Sequence, residues 1–241
     1  MIHNYQITMS AVLLSNEFSI ENVSFTEPKK NQMGGQNALI NYNHNGRSGP
    51  LIVQTPRLRL PFGASRQDPE GGGPPRYTIN LSVNDLGGPQ TQFFEFIKRL
   101  EEHVLDVGVE KSDVWFGKKK SKEVVSELMR SVVKYPKEKD KYDPTVKIKL
   151  PYNDKGPQFN LEDEKKNPVN VWLDGEIDLS CLPKGSEAVC VIQCTGVYFI
   201  GKSQFGIGFK VLKARVYQGN LLKNIEIVDD EEEAGESYED Y

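Results

Sequence analysis

The spacing of apolar residues changes period along this chain, and each change marks a different kind of element. In residues 76–84, RYTINLSVN, the apolar Tyr77, Ile79, Leu81 and Val83 alternate with Thr78, Asn80 and Ser82, which predicts a strand with one buried face. Residues 90–107 have a helical period instead. Phe93, Ile97, Leu100 and Val104 recur at spacings of four, three and four with Phe96 beside them, Pro89 stands near the start and Gly108 follows the end. A second, lysine-rich helix is predicted from about residue 122 to about residue 133, with Val124, Val125, Leu128 and Val132 facing inward. Alternation returns in residues 145–152 (TVKIKLPY) and 169–173 (VNVWL). The pattern closes with two long strands over residues 188–200 and 205–217, joined by a hairpin-length turn at 201–204. Upstream, residues 51–60 (LIVQTPRLRL) read as a strand whose Pro56 needs an edge or a bulge. Residues 61–75 are too rich in Gly and Pro to be anything but a loop. The first fifty residues hold short apolar pieces at 11–14 and 18–25 and then the polar run NYNHNGRSGP.

Strands outnumber helices and no regular strand-helix-strand repeat appears, so the fold class is mainly β (α+β), a small barrel or sandwich with two inserted helices. The 241 residues suit one large β-rich domain. The expected divisions are an N-terminal extension with short strands (1–50), a main body (51–227) and an acidic, disordered tail (228–241).

The tail carries the strongest compositional signal. Residues 229–241 read DDEEEAGESYEDY, with eight carboxylates and no cation, and such a run repels itself and buries little. The whole chain has 30 Lys and Arg against 34 Asp and Glu; without those eight acids the balance is 30 against 26, so a net −4 becomes +4 for residues 1–228. A basic body with an acidic arm points to a nucleic-acid groove and an internal imitation of the nucleic acid, while a solubilising tail is the plain alternative. No stretch approaches the roughly 18 apolar residues of a membrane span, and the opening MIHNYQITMS lacks the pattern of a secretory signal. An intracellular, soluble protein without membrane partners is therefore expected, and Cys181, Cys190 and Cys194, an odd set, suit a reducing compartment.

Three strands each carry two cations at i and i+2: Arg57 and Arg59, Lys147 and Lys149, and Lys213 and Arg215. Side chains two apart share a strand face, so neighbouring strands would merge these pairs into a stripe; six ordinary solvated charges are the alternative. Phe205, Phe209 and Tyr217 have the parity of Lys213 and Arg215 unless a bulge intervenes, which would set stacking rings beside cations; core packing is the competing reading for the two phenylalanines. Trp115 and Phe116 directly precede Lys118, Lys119 and Lys120, a pairing suited to base stacking and phosphate neutralisation, with nuclear targeting or a solvated helix start as alternatives. Acids are absent between Arg47 and Gln67 and between Thr195 and Tyr217.

Other chemistries are disfavoured. Gly196 to Ser203 satisfies the phosphate-loop pattern G-x-x-x-x-G-K-S, but its variable positions, Val, Tyr, Phe and Ile, prefer a strand and no helical period follows. Lys202 reads better as a cation at a hairpin tip. His3, His44 and His103 are scattered, Cys190 and Cys194 share one apolar strand face, and Glu101 and Glu102 read as solvated charge on the first helix. No active site, metal site or cofactor is indicated.

The order PRLRLPFG, YTINLS, FFEFIKRLEE, KIKLPY and a closing hairpin with FGIGFKV resembles the single-stranded DNA-binding family of large nucleocytoplasmic DNA viruses, and the tail is similar to that of the T7-like phage proteins. The resemblance spans residues 51–217 and implies an OB-like small β-barrel that coats single-stranded DNA without enzymatic activity during replication, repair or recombination. It implies a tail that occupies the DNA groove when DNA is absent and recruits replication proteins. That role falls here on Asp229, Asp230, Glu231, Glu232, Glu233, Glu239, Asp240 and the terminal Tyr241. The setting implied is a host nucleus or a cytoplasmic viral replication site, with packaging in the virion and oligomerisation left open. The rival reading is a structural or chaperone-like virion protein that binds basic partners.

Overall fold

The computed structural model describes residues 12–30, 35–85 and 87–218. Its spine is the predicted hairpin. The labels used are β1 (Leu13–Leu14), β2 (Gln36–Ala38), β3 (Ile52–Gln54), β4 (Leu58–Arg59), β5 (Ala64–Gln67), β6 (Arg76–Ser82), α1 (Gly88–Glu110), α2 (Ser112–Phe116), α3 (Lys122–Leu128), β7 (Met129–Arg130), β8 (Val133–Lys134), β9 (Thr145–Leu150), β10 (Asn160–Glu162), β11 (Pro168–Val169), β12 (Glu187–Ile200) and β13 (Gln204–Tyr217). The main sheet runs β1-β3-β12-β13-β9-β6-β5, with β2 and β4 also on β12, and β7 and β10 also on β13. The protein is mainly β with few helices. Among the described residues no pairing joins the two ends of this path, so the barrel expected from the sequence is not closed.

Two irregularities shape the hairpin. Cys194 pairs with Phe209 but Gly196 with Gly208, which makes Thr195 an extra residue; Val191 pairs with Lys213 but Ile192 with Val211, which makes Leu212 another. An inserted residue inverts the alternation beyond it. On β13, therefore, Phe205, Ile207, Phe209 and Val211 point to the core, and beyond Leu212 the buried set becomes Ala214 and Val216.

Helices close the inner side. The stripe predicted for α1 is buried as Phe93, Phe96, Ile97, Leu100 and Val104. α2 lays Trp115 and Phe116 against the hairpin, with ring centroids 5.3 Å apart for Trp115–Phe199 and for Phe116–Phe205. The lysine-rich helix ends at Leu128, earlier than expected, and the chain continues as β7 and β8. Val125 is buried as predicted whereas Val124 is exposed. Glu101 explains the early exit: its carboxylate is half-buried on α1 and accepts the backbone N–H of Val132, tying the segment down. Glu101 is thus not the solvated charge the sequence suggested, and burial raises its pKa.

The strand expected over residues 51–60 splits at Pro56 into β3 and β4, and the expected loop at 61–75 contains β5. Residues before 51 also join the main sheet, β1 pairing with β3 and β2 with β12. Among the described residues no helix is long and apolar enough to cross a membrane.

Candidate nucleic-acid interface

With the core claiming one face of β13, the opposite face presents Gly206, Gly208, Lys210, Lys213, Arg215 and Tyr217 in order from the hairpin tip. Tyr217 is eleven positions beyond Gly206, on the order of 36 Å of extended chain. β12 flanks this row on one side. On the other, three strands follow in succession: Arg130 of β7 stands opposite Gly206, Lys149 of β9 opposite Lys210, and Asn160 and Glu162 of β10 opposite Lys213 and Arg215. β6 extends the face, with Thr78 opposite Lys149 and Asn80 opposite Lys147. β8 contributes Lys134, opposite Thr145.

The cations on this face fall into two groups. Arg76, Arg130, Lys134, Lys147, Lys149 and Lys210 have no carboxylate in ion-pair reach among the described residues. Burial holds the Lys149 ammonium below the usual lysine range, and the Arg76 charge pushes the same way. Lys147 is lowered by burial and then by Lys134 and Arg76. Lys147 and Lys149 are thus positive groups set beside like charge, with no anion paired to them among the described residues. The second group has acid partners: Glu162 receives both Lys213 and Arg215, and Glu187 pairs with Arg57 at 2.6 Å. Arg57 also lies over the Tyr217 ring, 4.0 Å from its centroid, and Arg59 is opposite Glu187 in register.

The structure thus brings Arg57, Arg59, Lys213, Arg215 and Tyr217 to one end of the face, and Lys147 and Lys149 to its middle. Lys118, Lys119 and Lys120 follow α2, and Lys202 folds over the same turn. Its Nζ lies 3.0 Å from where a β-carbon on Gly117 would stand, so the segment that carries these three lysines begins beside the hairpin tip.

Four of the proposed stacking rings are elsewhere. Trp115, Phe116, Phe205 and Phe209 are 3 %, 3 %, 0 % and 2 % exposed and belong to the core. The parity argument fails for Phe205 and Phe209 because the Leu212 bulge separates their face from that of Lys213 and Arg215, and Trp115 and Phe116 sit in a helix turned inward, not on a loose connection. Residues 229–241, and every tail position named from the sequence, lie outside the described residues.

A ring that sequence reasoning missed occupies the face instead. Tyr198 of β12 is opposite Gly206, and its side chain lies over both glycines of the GIG segment. A β-carbon on Gly206 would be 2.7 Å from the Tyr198 hydroxyl oxygen, and one on Gly208 would be 3.9 Å from the ring's Cδ1. The glycines clear a floor for this partly exposed ring. Burial raises the phenol pKa while Arg130 draws it down. The available signal was the spacing of the two glycines in a strand whose other residues are bulky. Arg76, Arg130, Lys134 and Lys210 were also missed, because each is a lone cation until pairing places it.

Gly196 to Ile200 lie within β12, Gly201 to Ser203 form the turn, and β13 follows, so no helix N-terminus completes a phosphate cradle. The Cys190 and Cys194 thiols are pushed up to about 12 by burial, as inert core groups are. Among the described residues no cluster of His, Cys, Asp or Glu is arranged to hold a metal.

No protein-family model matches the sequence, and no curated protein does. Solved structures that align with it include gp2.5, a single-stranded DNA-binding protein encoded by bacteriophage T7, at 13 % identity and a TM-score of 0.46 over 73 % of this chain and 98 % of that one, and the single-stranded DNA-binding protein of bacteriophage Enc34 in complex with single-stranded DNA, at 12 % and 0.39 over 80 % and 94 %.

Proposed function

We propose that this chain is a non-enzymatic single-stranded DNA-binding protein of DNA replication, repair or recombination, holding the strand along the outer face of β13. The observation that carries the reading is the set of cations without acid partners, centred on Lys147, Lys149 and Lys210, beside the Tyr198 ring. Uncompensated cations in a row meet a polyanion, and a ring laid flat on the sheet meets a base that is not paired to another. Lys118 to Lys120 with Lys202 prolong the path at the tip, and Arg57, Arg59, Lys213, Arg215 and Tyr217 prolong it at the other end. The curved sheet serves as an OB-like platform.

The acidic tail, residues 229–241, competes for this face and offers replication proteins a handle. Its eight carboxylates supply the charge that the unpaired cations lack. The test is a titration with oligonucleotides in single-stranded and duplex form at several salt concentrations, using the full chain and a chain ending at residue 228. Preferential single-strand binding, tightened at low salt by the truncation, is expected. Equal affinity for duplex would replace the reading with phosphate contact alone, and a truncation that leaves affinity unchanged would remove the tail from the face.

A further inference from the structure

Lys213 and Arg215 converge on one carboxylate through separate oxygens. Oε2 of Glu162 accepts from Lys213 Nζ at 2.7 Å, while Oε1 accepts from Arg215 Nε at 2.6 Å and from its Nη2 at 2.5 Å. Two cations on one anion leave a formal surplus of one positive charge.

The three members differ in freedom. The Glu162 side chain is 10 % exposed, against 50 % for Lys213 and 31 % for Arg215. Its backbone is fixed by parallel pairing of β10 with β13, where the buried Leu161 faces the buried Ala214. The anion is anchored and the cations reach outward from it. The hydrogen bonds from Lys213, which contributes most, and from Arg215 also keep the Glu162 pKa below the usual carboxylate range, so the anion persists at neutral pH. Beside the cluster an open groove of about 450 Å³ is lined by Asn160, Glu162, Val169, Trp172 and Lys213.

We infer that Glu162, Lys213 and Arg215 form a site for a single phosphodiester group, in which Glu162 is a resident anion that holds both cations at the groove and limits their surplus charge to one. The inference rests on the single-strand reading above. Its content is separate from that reading, because it assigns a carboxylate, which by charge alone should repel DNA, to the binding site. A lysine and an arginine without Glu162 would carry two surplus charges and recruit a second phosphate; without Lys213 the surplus is zero.

The test is the salt dependence of affinity for a labelled oligothymidine, read by fluorescence anisotropy in wild type, Glu162→Gln, Lys213→Gln and the double variant, with thermal unfolding to confirm the fold. Glu162→Gln is expected to bind several-fold tighter at low salt with a salt slope steeper by about 0.7, the increment for one more phosphate on a single strand. Lys213→Gln should lose about the same increment, and the double variant, again with one surplus charge, should return to the wild-type slope. Lys213 is exposed, so its substitution carries the test even if Glu162→Gln does not fold. Wild type that binds with its slope unchanged in Lys213→Gln, or Glu162→Gln that binds no tighter, overturns this inference alone. Wild type that binds no single strand overturns the functional reading as well.

Discussion

Lys149 and Lys210 stand directly opposite one another where β9 meets β13. Like charges placed in register across a sheet are destabilising, and neither has a carboxylate partner among the described residues. A phosphate between them would turn the repulsion into two attractions. Lys149→Gln and Lys210→Gln should therefore each weaken single-strand binding and lower the salt slope by about 0.7. The melting temperature should stay level or rise slightly, so that calorimetry and binding titrations move apart.

The lowered Lys149 pKa gives the same site a pH signature. Its folded-state value lies below its unfolded one, so the unfolded chain holds the proton across the interval between them, and stability rises as pH climbs through it. Binding runs the other way, because a neutral amine no longer attracts phosphate. Affinity should begin to fall below the ordinary lysine value of about 10.4, while thermal stability gains over the same interval. Lys149→Arg, which stays charged, should reduce the early fall and leave the share contributed by the similarly lowered Lys147.

Tyr198 separates single-strand recognition from plain charge attraction. Tyr198→Leu should lose on the order of 1–3 kcal/mol of binding, the worth of one stacked base, with the salt slope unchanged. Tyr198→Phe keeps the ring and should keep most of the affinity. Gly206→Val places a β-carbon 2.7 Å from the Tyr198 hydroxyl oxygen, so it should displace the ring and reproduce the loss. Titrations of the three variants at several salt concentrations decide this.

Much of the architecture was legible. The stripe of Phe93, Ile97, Leu100 and Val104 and the alternation from Tyr77 to Leu81 are strong because period and residue type agree over many positions. The bulges at Thr195 and Leu212 were not, since both residues are good strand formers and one inserted residue leaves no mark in composition. That single count reassigned Phe205 and Phe209 from face to core. The functional face depended on register: Arg130, Lys149 and Lys210 come from three distant segments, and only strand pairing makes them neighbours. The short strands before residue 51 carry too few residues for a period to show.

Tryptophan fluorescence can trace the strand beyond the middle of the face. Trp115 in α2 is 3 % exposed, whereas Trp172 lines the groove beside Lys213. A strand passing the Glu162 cluster should quench Trp172 and leave Trp115 unaffected. Trp172→Phe should abolish the quenching by oligothymidine, and a Trp115→Phe protein that folds should retain it.

Phe205 gives the complementary outcome, a ring whose loss harms the fold and not the binding. It is fully buried, with ring centroids 5.3 Å from Phe116 and 6.0 Å from Trp115, and its strand's other face carries the tyrosine platform. Removing a buried phenylalanine costs about 3–5 kcal/mol, from lost transfer energy and the cavity left behind. Phe205→Ala should accordingly show a large drop in the midpoint of urea unfolding. Its folded fraction, assayed at low temperature, should bind oligothymidine within about twofold of wild type, because a 1.4 kcal/mol change would be needed for tenfold. A base-stacking ring would give the reverse, normal unfolding and weak binding. The contrast between Phe205→Ala and Tyr198→Leu therefore decides which face of β13 meets the nucleic acid.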